Sequence, residues 1–594
     1  MNNININKIL QYIILIVIFF LILNFASTIL SYKHLPGPVY GGDVYRDRGF
    51  IESINQGFKP WEDGYFLNEH QYYNWFGSAL LSIPVSIFNF PIESTMLWFS
   101  FLVYIAIIVA YYFIADALFK KKLLSCTSAL IAAVIFIYPS VKFSKFGSLL
   151  LILFILFFIK FIQTKENKYH LYAGITLAIC GLTYGAVYAA AMIFYALWLL
   201  FELIKRIKFD FKEKLKLKKV IKDYFYLILP FLIALLIPLI IHYLPLMLRY
   251  AGNAPNPVYE YGDTSIKNFT LGTVLLNEVK LFFNFSNIFK FAFGLAAVIG
   301  LIFIFISKNK FSVFLKKFYL YNFVAKLHHY ISKPLLGKWF FPHKMSLTHY
   351  VFPIFIMNTV NSVFVYLKKR KQIFAFIFIF CIIVLSIGYG IFKINNFNDS
   401  KWVKYGKQMD QSTQMIYDAG EYLKTHMSND ETVLANDETS FALMALSGKK
   451  VVVSRRTHAS YYVDIDKRIA DIAIILYSNN NALRNSLLNK YKVKYFFEDS
   501  FIYNNPMNTR IEFVDYLKEN NINFQIADIT LDPAQTPEAG TVETRAIIIP
   551  GNLSQGFREI IKPIKAFTIE GNTAAVLYEV NAPTSENLFM DMLK

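Results

Sequence analysis

The chain has 594 residues, of which 55% are hydrophobic and 18% aromatic, and its mean hydropathy is +0.40. This composition excludes a soluble protein of this length. The formal net charge is +19, but the basic excess lies in short runs between apolar segments, whereas residues 400–594 hold slightly more acids than bases. We therefore attribute the basic runs to cytoplasmic loops that face the anionic lipid of the bilayer, and we expect no nucleic-acid partner.

Apolar segments long enough to cross a bilayer recur along the first 395 residues. The first, Leu10–Leu30, is followed by no small-residue cleavage site and is expected to be a retained anchor. Residues 74–90 carry Pro84 and predict a juxtamembrane or re-entrant helix. One crossing is expected within 308–345, where basic residues interrupt the apolar pattern. Together the segments predict about 11 crossings. The remaining predicted spans are 92–118, 124–139, 147–163, 169–183, 186–204, 224–243, 287–307, 346–366 and 372–393.

The predicted fold class is a polytopic α-helical membrane protein with a C-terminal soluble α/β domain. We place the membrane module at residues 1–395, with a first outer loop at 31–91, and the α/β domain at 396–594. With the N-terminus in the cytoplasm, the basic runs predict that the first loop and the α/β domain are extracytoplasmic. Within the domain, β-rich runs alternate with helical patterns. These runs are Thr432–Ala435, Lys450–Val453, Val493–Phe497, Ala546–Ile549 and Ala574–Tyr578.

The segment Ser454–His458 follows a predicted strand and carries two arginines and a histidine. It could bind an anion, or it could be a solvated loop. The sequence of the α/β domain contains no Walker loop, no GxGxxG fingerprint and no zinc-ligand spacing. The sequence motifs of the α/β domain therefore do not indicate a ligand class.

The first outer loop carries the strongest candidate for catalysis. Asp43 follows two glycines shortly after the first span, and Arg46 and Arg48 come close behind it. A carboxylate at the boundary of water and lipid can accept a proton from an acceptor hydroxyl. Neighbouring arginines can hold a phosphate as bidentate partners. The alternative is that Asp43 caps the helix predicted behind it, because Asp is favoured at that position.

The order of these features resembles the GT-C superfamily of integral-membrane glycosyltransferases. It comprises an N-terminal span, an acidic outer loop that begins near Gly41-Gly42-Asp43, further spans and an outer α/β domain. The stretch Glu431–His458 also resembles the outer domain of prokaryotic members. The resemblance implies a GT-C-like module and inverting transfer of a sugar from a polyprenyl-phosphate-linked donor to a glycan, glycolipid or protein acceptor. The first-loop acid of that superfamily is catalytic, and Asp43 is the matching residue.

The next outer loop departs from the metal-dependent members of the superfamily, which carry a second acidic motif there. Here that loop, Pro139–Gly147, contains no carboxylate. A divalent cation usually needs two or more carboxylates, and Asp43 with Asp47 makes a poor cage. Other first-loop acids could still contribute, namely Glu62, Asp63 and Glu69. We therefore predict transfer without metal or cofactor. Lys142 and Lys145 could supply positive charge instead, or they could simply snorkel at the interface.

Within the first loop, Asp47 and Glu52 are the other acids that could take part with Asp43 in binding or catalysis. His70 could orient sugar hydroxyls, or it could make a structural polar contact. Trp61, Tyr65, Tyr72 and Tyr73 could stack on sugar rings, although an aromatic belt at the membrane interface is the more usual role of such residues.

Three further candidates lie at the outer ends of predicted spans. Arg249 ends an outward span and could meet the donor phosphate or anchor the span. His343 and Lys344 precede the 346–366 span, where many members of the superfamily place an arginine for the donor phosphate. The substitution of the arginine leaves the phosphate-binding role of His343 and Lys344 open.

Two other functions compete with the enzyme. A lipid-linked-glycan transporter or flippase would show acids or broken helices within repeated halves, whereas few ionisable residues and no repeat are evident in the predicted spans. A catalytically inactive GT-C-like scaffold would also lack the second acidic loop. The sequence favours the glycosyltransferase and leaves both alternatives open.

Overall fold

The computed structural model divides into two compact units. The helical unit comprises Met1–Tyr32, Met96–Pro245 and Phe269–Lys404, and the mixed unit comprises Lys33–Thr95, Leu246–Asn268 and Tyr405–Lys594. The described residues are 6–35, 42–137, 144–213, 217–251, 271–283, 287–308, 310–327, 347–456, 458–460, 462–500, 507–531 and 542–581.

Up to residue 398 the described secondary structure is helical apart from an isolated antiparallel bridge between Glu62 and His70, because long apolar runs satisfy their backbone hydrogen bonds locally. A short π-helical turn, Leu239–Tyr243, joins the ninth and tenth helices. In chain order the helices are α1 (Ile6–Leu30), α2 (Gly42–Asn55), α3 (Phe76–Phe88), α4 (Ile92–Phe119), α5 (Lys122–Phe136), α6 (Ser144–Thr164), α7 (Asn167–Gly181), α8 (Gly185–Glu213), α9 (Leu217–Pro238), α10 (Leu244–Arg249), α11 (Leu271–Phe282), α12 (Ile288–Ile306), α13 (Lys310–Lys326), α14 (Thr348–Arg370) and α15 (Gln372–Asn398).

Among the described residues, eight helices are long and apolar enough to cross a membrane, which makes the chain a multi-pass membrane protein. The other three predicted crossings correspond to shorter helices, α5 and α7 with 15 residues each and α13 with 17 residues. The part of the predicted 308–345 crossing beyond residue 327 lies outside the described residues. The eight spans are Ile6–Leu30, Ile92–Phe119, Phe146–Thr164, Gly185–Lys208, Ile221–Arg249, Ile288–Ile306, Thr348–Arg370 and Gln372–Asn398.

Glycines set the close approach of helices in the helical unit. A Cβ atom added at Gly174 of α7 would overlap the backbone carbonyl of Pro230 in α9, and one at Gly300 of α12 would overlap that of Phe355 in α14. Small residues at such contacts let helix backbones pack closely in a membrane, where lipid supplies little hydrophobic drive for association.

From residue 401 onward helices alternate with strands, which confirms the predicted α/β character of the C-terminal region. The five predicted β-rich runs coincide with β1, β2, β3, β6 and β8. The elements are α16 (Lys401–Lys407), α17 (Gln411–His426), β1 (Thr432–Leu434), α18 (Asp437–Ser447), β2 (Lys450–Val451), α19 (Ile465–Tyr477), α20 (Asn481–Tyr491), β3 (Val493–Asp499), β4 (Met507–Arg510), α21 (Val514–Glu519), β5 (Gln525–Leu531), β6 (Val542–Ile549), α22 (Gln555–Arg558), β7 (Ile561–Ile569) and β8 (Asn572–Val580).

The strands form two sheets. The larger has the order β2-β1-β3-β8-β7, with β1 parallel to both β2 and β3 and with β8 antiparallel to β3 and β7. The smaller is antiparallel with the order β4-β6-β5. In the larger sheet the central strand β3 buries Phe496 and Phe497 fully, as expected for a strand paired on both sides.

The first-loop helix α2 packs against α18 within the mixed unit. Gly49 lies where an added Cβ would be 2.9 Å from the Cα of Ala445, so only glycine allows this approach. Gly448 ends α18 with φ of +69° in the left-handed region, where glycine pays no Cβ penalty. The contact fixes one face of α2 against the C-terminal region. The predicted division at residues 395 and 396 stays a prediction.

Candidate active site

Asp43 lies in the first turn of α2, where the positive end of the helix dipole favours a carboxylate. Its side chain is 44% exposed. One carboxylate oxygen, Oδ1, is 3.3 Å from Nη1 of Arg46 and 3.6 Å from Nε2 of His458. The predicted catalytic acid is therefore accessible and lies between a guanidinium and an imidazole.

Arg46 joins Asp43 to the next acid of the helix. Its Nη2 and Nε donate to Oδ1 of Asp47 at 2.8 and 3.1 Å, and its guanidinium carbon is 4.2 Å from the centre of the Tyr73 ring. A guanidinium held by two carboxylates and an aromatic face has little conformational freedom. Arg46 thus keeps a fixed positive charge beside Asp43.

His458 belongs to the segment Ser454–His458, for which the sequence predicts either an anion site or a solvated loop. Its imidazole is 14% exposed, and its ring centre is 4.9 Å from that of Phe441. An added Cβ at Gly42 would be 2.9 Å from its Nε2, so the glycine before Asp43 makes room for this ring. Burial lowers the pKa of His458, and Arg46 and Arg455 act in the same direction, whereas the nearby Asp43 carboxylate raises it. The imidazole is therefore neutral at pH 7.

Arg48 is buried, unlike Arg46. Its Nε lies 2.5 Å from Oε1 of Glu93, and its Nη1 donates to the carbonyl oxygens of Ala445 and Leu446 at 2.5 and 3.1 Å. These bonds satisfy the carbonyls at the end of α18, which the helix itself leaves unpaired. The arrangement gives Arg48, predicted as a substrate-binding residue, an anchoring role within the mixed unit. No sequence pattern indicates the pairing of Arg48 with Glu93.

Glu52 and Asp47 are likewise buried, at 2% and 4% exposure. Glu52 Oε1 is 3.0 Å from Nζ of Lys424 and accepts a hydrogen bond from Gln56. Both acids were predicted to take part in the site, and the structure engages both in internal ion pairs.

His70 and Arg249, predicted separately, line one cavity of about 470 Å³. Arg249 donates through Nη2 to the backbone oxygen of Asn68 at 3.1 Å. Burial lowers the pKa of His70, and the nearby Arg249 charge lowers it further, so this imidazole is also neutral at pH 7. The cavity is lined by Phe58, Glu62, Phe66, Leu67, Asn68, Glu69, His70, Arg249 and Lys450.

Lys450 is a cavity residue that the sequence did not single out. Its Nζ donates to Oγ of Ser53 at 3.1 Å and to the backbone oxygen of Asp63 at 2.6 Å, and it is 3.7 Å from the centre of the Phe58 ring. Burial lowers the pKa of Lys450 and raises that of Asp63, and their mutual attraction opposes both shifts. The signal that could have found Lys450 is its position at the start of a short buried strand, where a lysine is unusual.

The remaining predicted site residues belong to the start of α6 and to the segments before α6 and α14. Lys142, His343 and Lys344 lie outside the described residues, and of Lys145 only the backbone, in α6, is described. Across the described ranges, no three histidine, cysteine, aspartate or glutamate side chains are grouped as a metal site would require.

No protein-family model and no curated protein matches the sequence. Among solved structures, the chain is similar to the apo oligosaccharyltransferase of Archaeoglobus fulgidus, with 13% identity, 82% of this chain and 70% of that chain covered, and a TM-score of 0.49. It is also similar to ArnT from Cupriavidus metallidurans, with 10% identity, 90% and 97% coverage, and a TM-score of 0.40. For the arabinofuranosyltransferase AftD from Mycobacteria the identity is 11%, the coverage 95% and 40%, and the TM-score 0.47.

These proteins are GT-C glycosyltransferases, the superfamily that the sequence resembles. The Archaeoglobus enzyme, AglB, has a structure with an inhibitory peptide and a dolichol-phosphate, and ArnT has one with undecaprenyl phosphate. At these identities and TM-scores the likeness assigns no role to any residue of this chain.

Proposed function

We propose that this protein is a membrane glycosyltransferase that moves a sugar from a polyprenyl-phosphate-linked donor to a glycan or glycolipid acceptor at the outer face of the membrane. The observation that carries the proposal is the half-exposed carboxylate of Asp43, held in a helix turn between the guanidinium of Arg46 and the neutral imidazole of His458. A carboxylate in this position is equipped to act as a general base on a hydroxyl.

In the proposed reaction, the acceptor hydroxyl donates a hydrogen bond to Asp43. Its oxygen attacks the anomeric carbon of the donor sugar while the bond from that carbon to the phosphate oxygen breaks, and the electron pair of that bond leaves with the polyprenyl phosphate. The hydroxyl proton passes to the carboxylate. Attack on the face opposite the leaving phosphate inverts the anomeric configuration.

His458 is proposed to position Asp43. With the proton on Nε2, the neutral ring directs its N–H dipole toward Oδ1 of Asp43, 3.6 Å away, and this attraction orients the carboxylate for the acceptor. A neutral donor orients the base without adding a second positive charge to the one that Arg46 already supplies. The proton on Nε2 is inferred from this geometry.

We propose that the transfer is metal-independent. Two of the acids that could complete a metal cage with Asp43 already have internal partners. Asp63 is buried and accepts hydrogen bonds through Oδ1 from the backbone N–H groups of Tyr65 and Phe66, and Glu69 Oε1 is 3.2 Å from Nη2 of Arg468. A carboxylate already bound by backbone N–H groups or by a guanidinium is a poor ligand for a divalent cation.

The proposed orientation, with the first loop and residues 396–594 outside the cell membrane, rests on the basic runs between spans. Labelling of single introduced cysteines in intact cells tests it. We expect a cysteine at exposed position Asp515 to react with a membrane-impermeant maleimide. Reaction only after permeabilisation would invert the orientation and contradict the proposed function.

The function itself is tested by analysing glycans and lipid-linked sugars in cells that lack the protein. We expect loss of one glycan modification and accumulation of its polyprenyl-phosphate donor, both restored by the native chain and by Asp515→Asn but not by Asp43→Asn. Full restoration by Asp43→Asn would contradict the enzyme and favour a scaffold. Donor that accumulates only on the cytoplasmic side would favour a flippase.

A further inference from the structure

The cavity beside His70 combines hydrogen-bond donors, acceptors and an apolar wall within the mixed unit. Its volume of about 470 Å³ falls within the range of small-molecule sites, roughly 300–1,000 Å³. The residues that line this cavity take no part in the mechanism proposed for Asp43. The cavity therefore offers a ligand chemical groups other than those of the catalytic acid.

The donors are Arg249 and Lys450. Arg249 is exposed and uses one N–H to bond Asn68, and within the described residues it has no carboxylate partner. The Lys450 side chain is buried, and two hydrogen bonds and the Phe58 ring fix its ammonium at the cavity wall. A guanidinium and an ammonium donate hydrogen bonds but cannot accept them.

The acceptors are two carboxylates and the His70 ring. Glu69 is held in place because Tyr250 donates to its Oε2 at 2.9 Å and Arg468 pairs with its Oε1. Glu62 accepts one bond through Oε2 from the backbone of Lys59. Ionised carboxylates accept hydrogen bonds but cannot donate them, whereas a neutral imidazole does both.

The apolar part of the wall is formed by Phe58, Phe66 and Leu67. The Phe66 ring is packed by the guanidinium of Arg468, whose central carbon is 4.5 Å from the ring centre, as Phe58 is by Lys450. These contacts hold both rings in fixed orientations at the cavity.

We infer that this cavity binds an uncharged saccharide. Each sugar hydroxyl both donates and accepts a hydrogen bond, so a polyol can use separate donors and acceptors in one wall, and its C–H groups can lie on the phenyl rings. Two carboxylates disfavour an anionic ligand, and Arg249 and Lys450 disfavour a metal ion or an organic cation. The charged wall also disfavours a lipid chain.

The inference rests on the proposed function and specifies the substrate class that the site recognises. A series of ring contacts links Tyr250, which donates a hydrogen bond to the cavity residue Glu69, to the Asp43 cluster. Tyr250 stacks on Tyr462 with 5.0 Å between ring centres, Tyr462 is 6.0 Å from Tyr72, and Tyr72 is 5.2 Å from Tyr73, which lies under Arg46. These contacts place the cavity and the Asp43 cluster at opposite ends of one row of packed rings, and the saccharide inferred for the cavity is part of the substrate of the proposed transfer.

The test is binding to the full-length protein in phospholipid nanodiscs, which avoid detergents with sugar headgroups. The probes are uncharged trisaccharides of hexoses, N-acetylhexosamines and pentofuranoses, with inorganic phosphate and trigalacturonate as charged counterparts. We expect at least one uncharged trisaccharide to bind. Arg249→Gln, His70→Ala and the cavity-filling Leu67→Trp should each weaken it about tenfold or more, as loss of hydrogen bonds to a polar ligand predicts.

The controls are Arg558→Gln and His426→Ala, which change exposed residues of the same types elsewhere in the mixed unit and should bind like the native chain. Asp43→Asn should bind trisaccharide normally while losing transfer, which separates failure of the cavity from failure of the proposed catalysis. No binding by any uncharged trisaccharide, tighter binding of phosphate or trigalacturonate, or binding that survives all three cavity variants would each overturn the inference.

Discussion

Acidic and basic side chains occur both in the first turn of α2 and in the turns that follow it. Those in the first turn are accessible to solvent, whereas those further along the helix are buried. Asp43 is 44% exposed and pairs at the surface with Arg46, whereas Arg48 and Glu52 are buried and bound to fixed internal partners. An exposed carboxylate can meet a substrate, but a buried ion pair is costly to disturb because its desolvation has already been offset by its partner. The same helix therefore supplies a candidate catalytic group at one end and its own anchor further along.

The largest expected effect comes from removing the base at the exposed end. Asp43→Asn keeps the size of the side chain but removes the proton acceptor, so kcat should fall about 10²- to 10⁴-fold, the usual contribution of general-base catalysis. Steady-state transfer by protein in nanodiscs measures this, with Asp515→Asn as the matched control. A near-native kcat would show that Asp43 is not the general base. The base would then be Asp47, Glu52 or a residue outside the first loop, and the exposed end of α2 would have no catalytic role.

The anchoring end should respond in stability instead. Arg48→Gln leaves Glu93 and two carbonyl oxygens without their cationic partner, and breaking a buried ion pair typically costs about 3–5 kcal/mol. We expect a clearly lower unfolding temperature than for the exposed control Arg558→Gln. If Arg48→Gln instead left stability unchanged and weakened donor binding, Arg48 would be a substrate-binding residue, as the sequence alone suggests.

A smaller effect is expected at His458. His458→Gln keeps a hydrogen-bond donor but cannot be protonated, so kcat should fall by about tenfold or less through poorer orientation of Asp43. Because burial lowers the pKa of His458, the native ring is neutral above the unfolded value of about 6.5. As pH falls below that value the unfolded state takes up the proton first, and the folded protein loses stability.

Unfolding of the native protein and of His458→Gln between pH 4 and pH 8 measures this linkage. The native chain should lose more stability than the variant as the solution is acidified below about pH 6.5. Its transfer rate should also fall more steeply, because an imidazolium would hold Asp43 in an ion pair. Identical pH profiles for stability and for transfer would contradict the proposed positioning role.

The smallest expected effect is that of metal removal. Since Asp63 is bound by backbone N–H groups and Glu69 is paired with Arg468, transfer should continue at its normal rate in EDTA. Loss of transfer in EDTA that magnesium or manganese restores would contradict the metal-independent proposal.

The sequence alone was sufficient for features that are encoded locally. Spans follow from apolar length, as for Ile6–Leu30, because a bilayer demands internally satisfied backbone. Strands such as Val493–Asp499 follow from their β-rich composition and turn signals. Asp43 also stood out locally, through two glycines, nearby arginines and its position after a span.

Only the tertiary structure decided which of these residues meet. His458 reaches Asp43 from a segment far along the chain, Glu93 pairs with Arg48, and His70 and Arg249 share a cavity with Lys450. No local pattern distinguishes Arg46 from Arg48, two residues apart on one helix. Burial and pairing depend on contacts between distant segments, and these determine whether a charged side chain is available to a substrate or is fixed inside the fold.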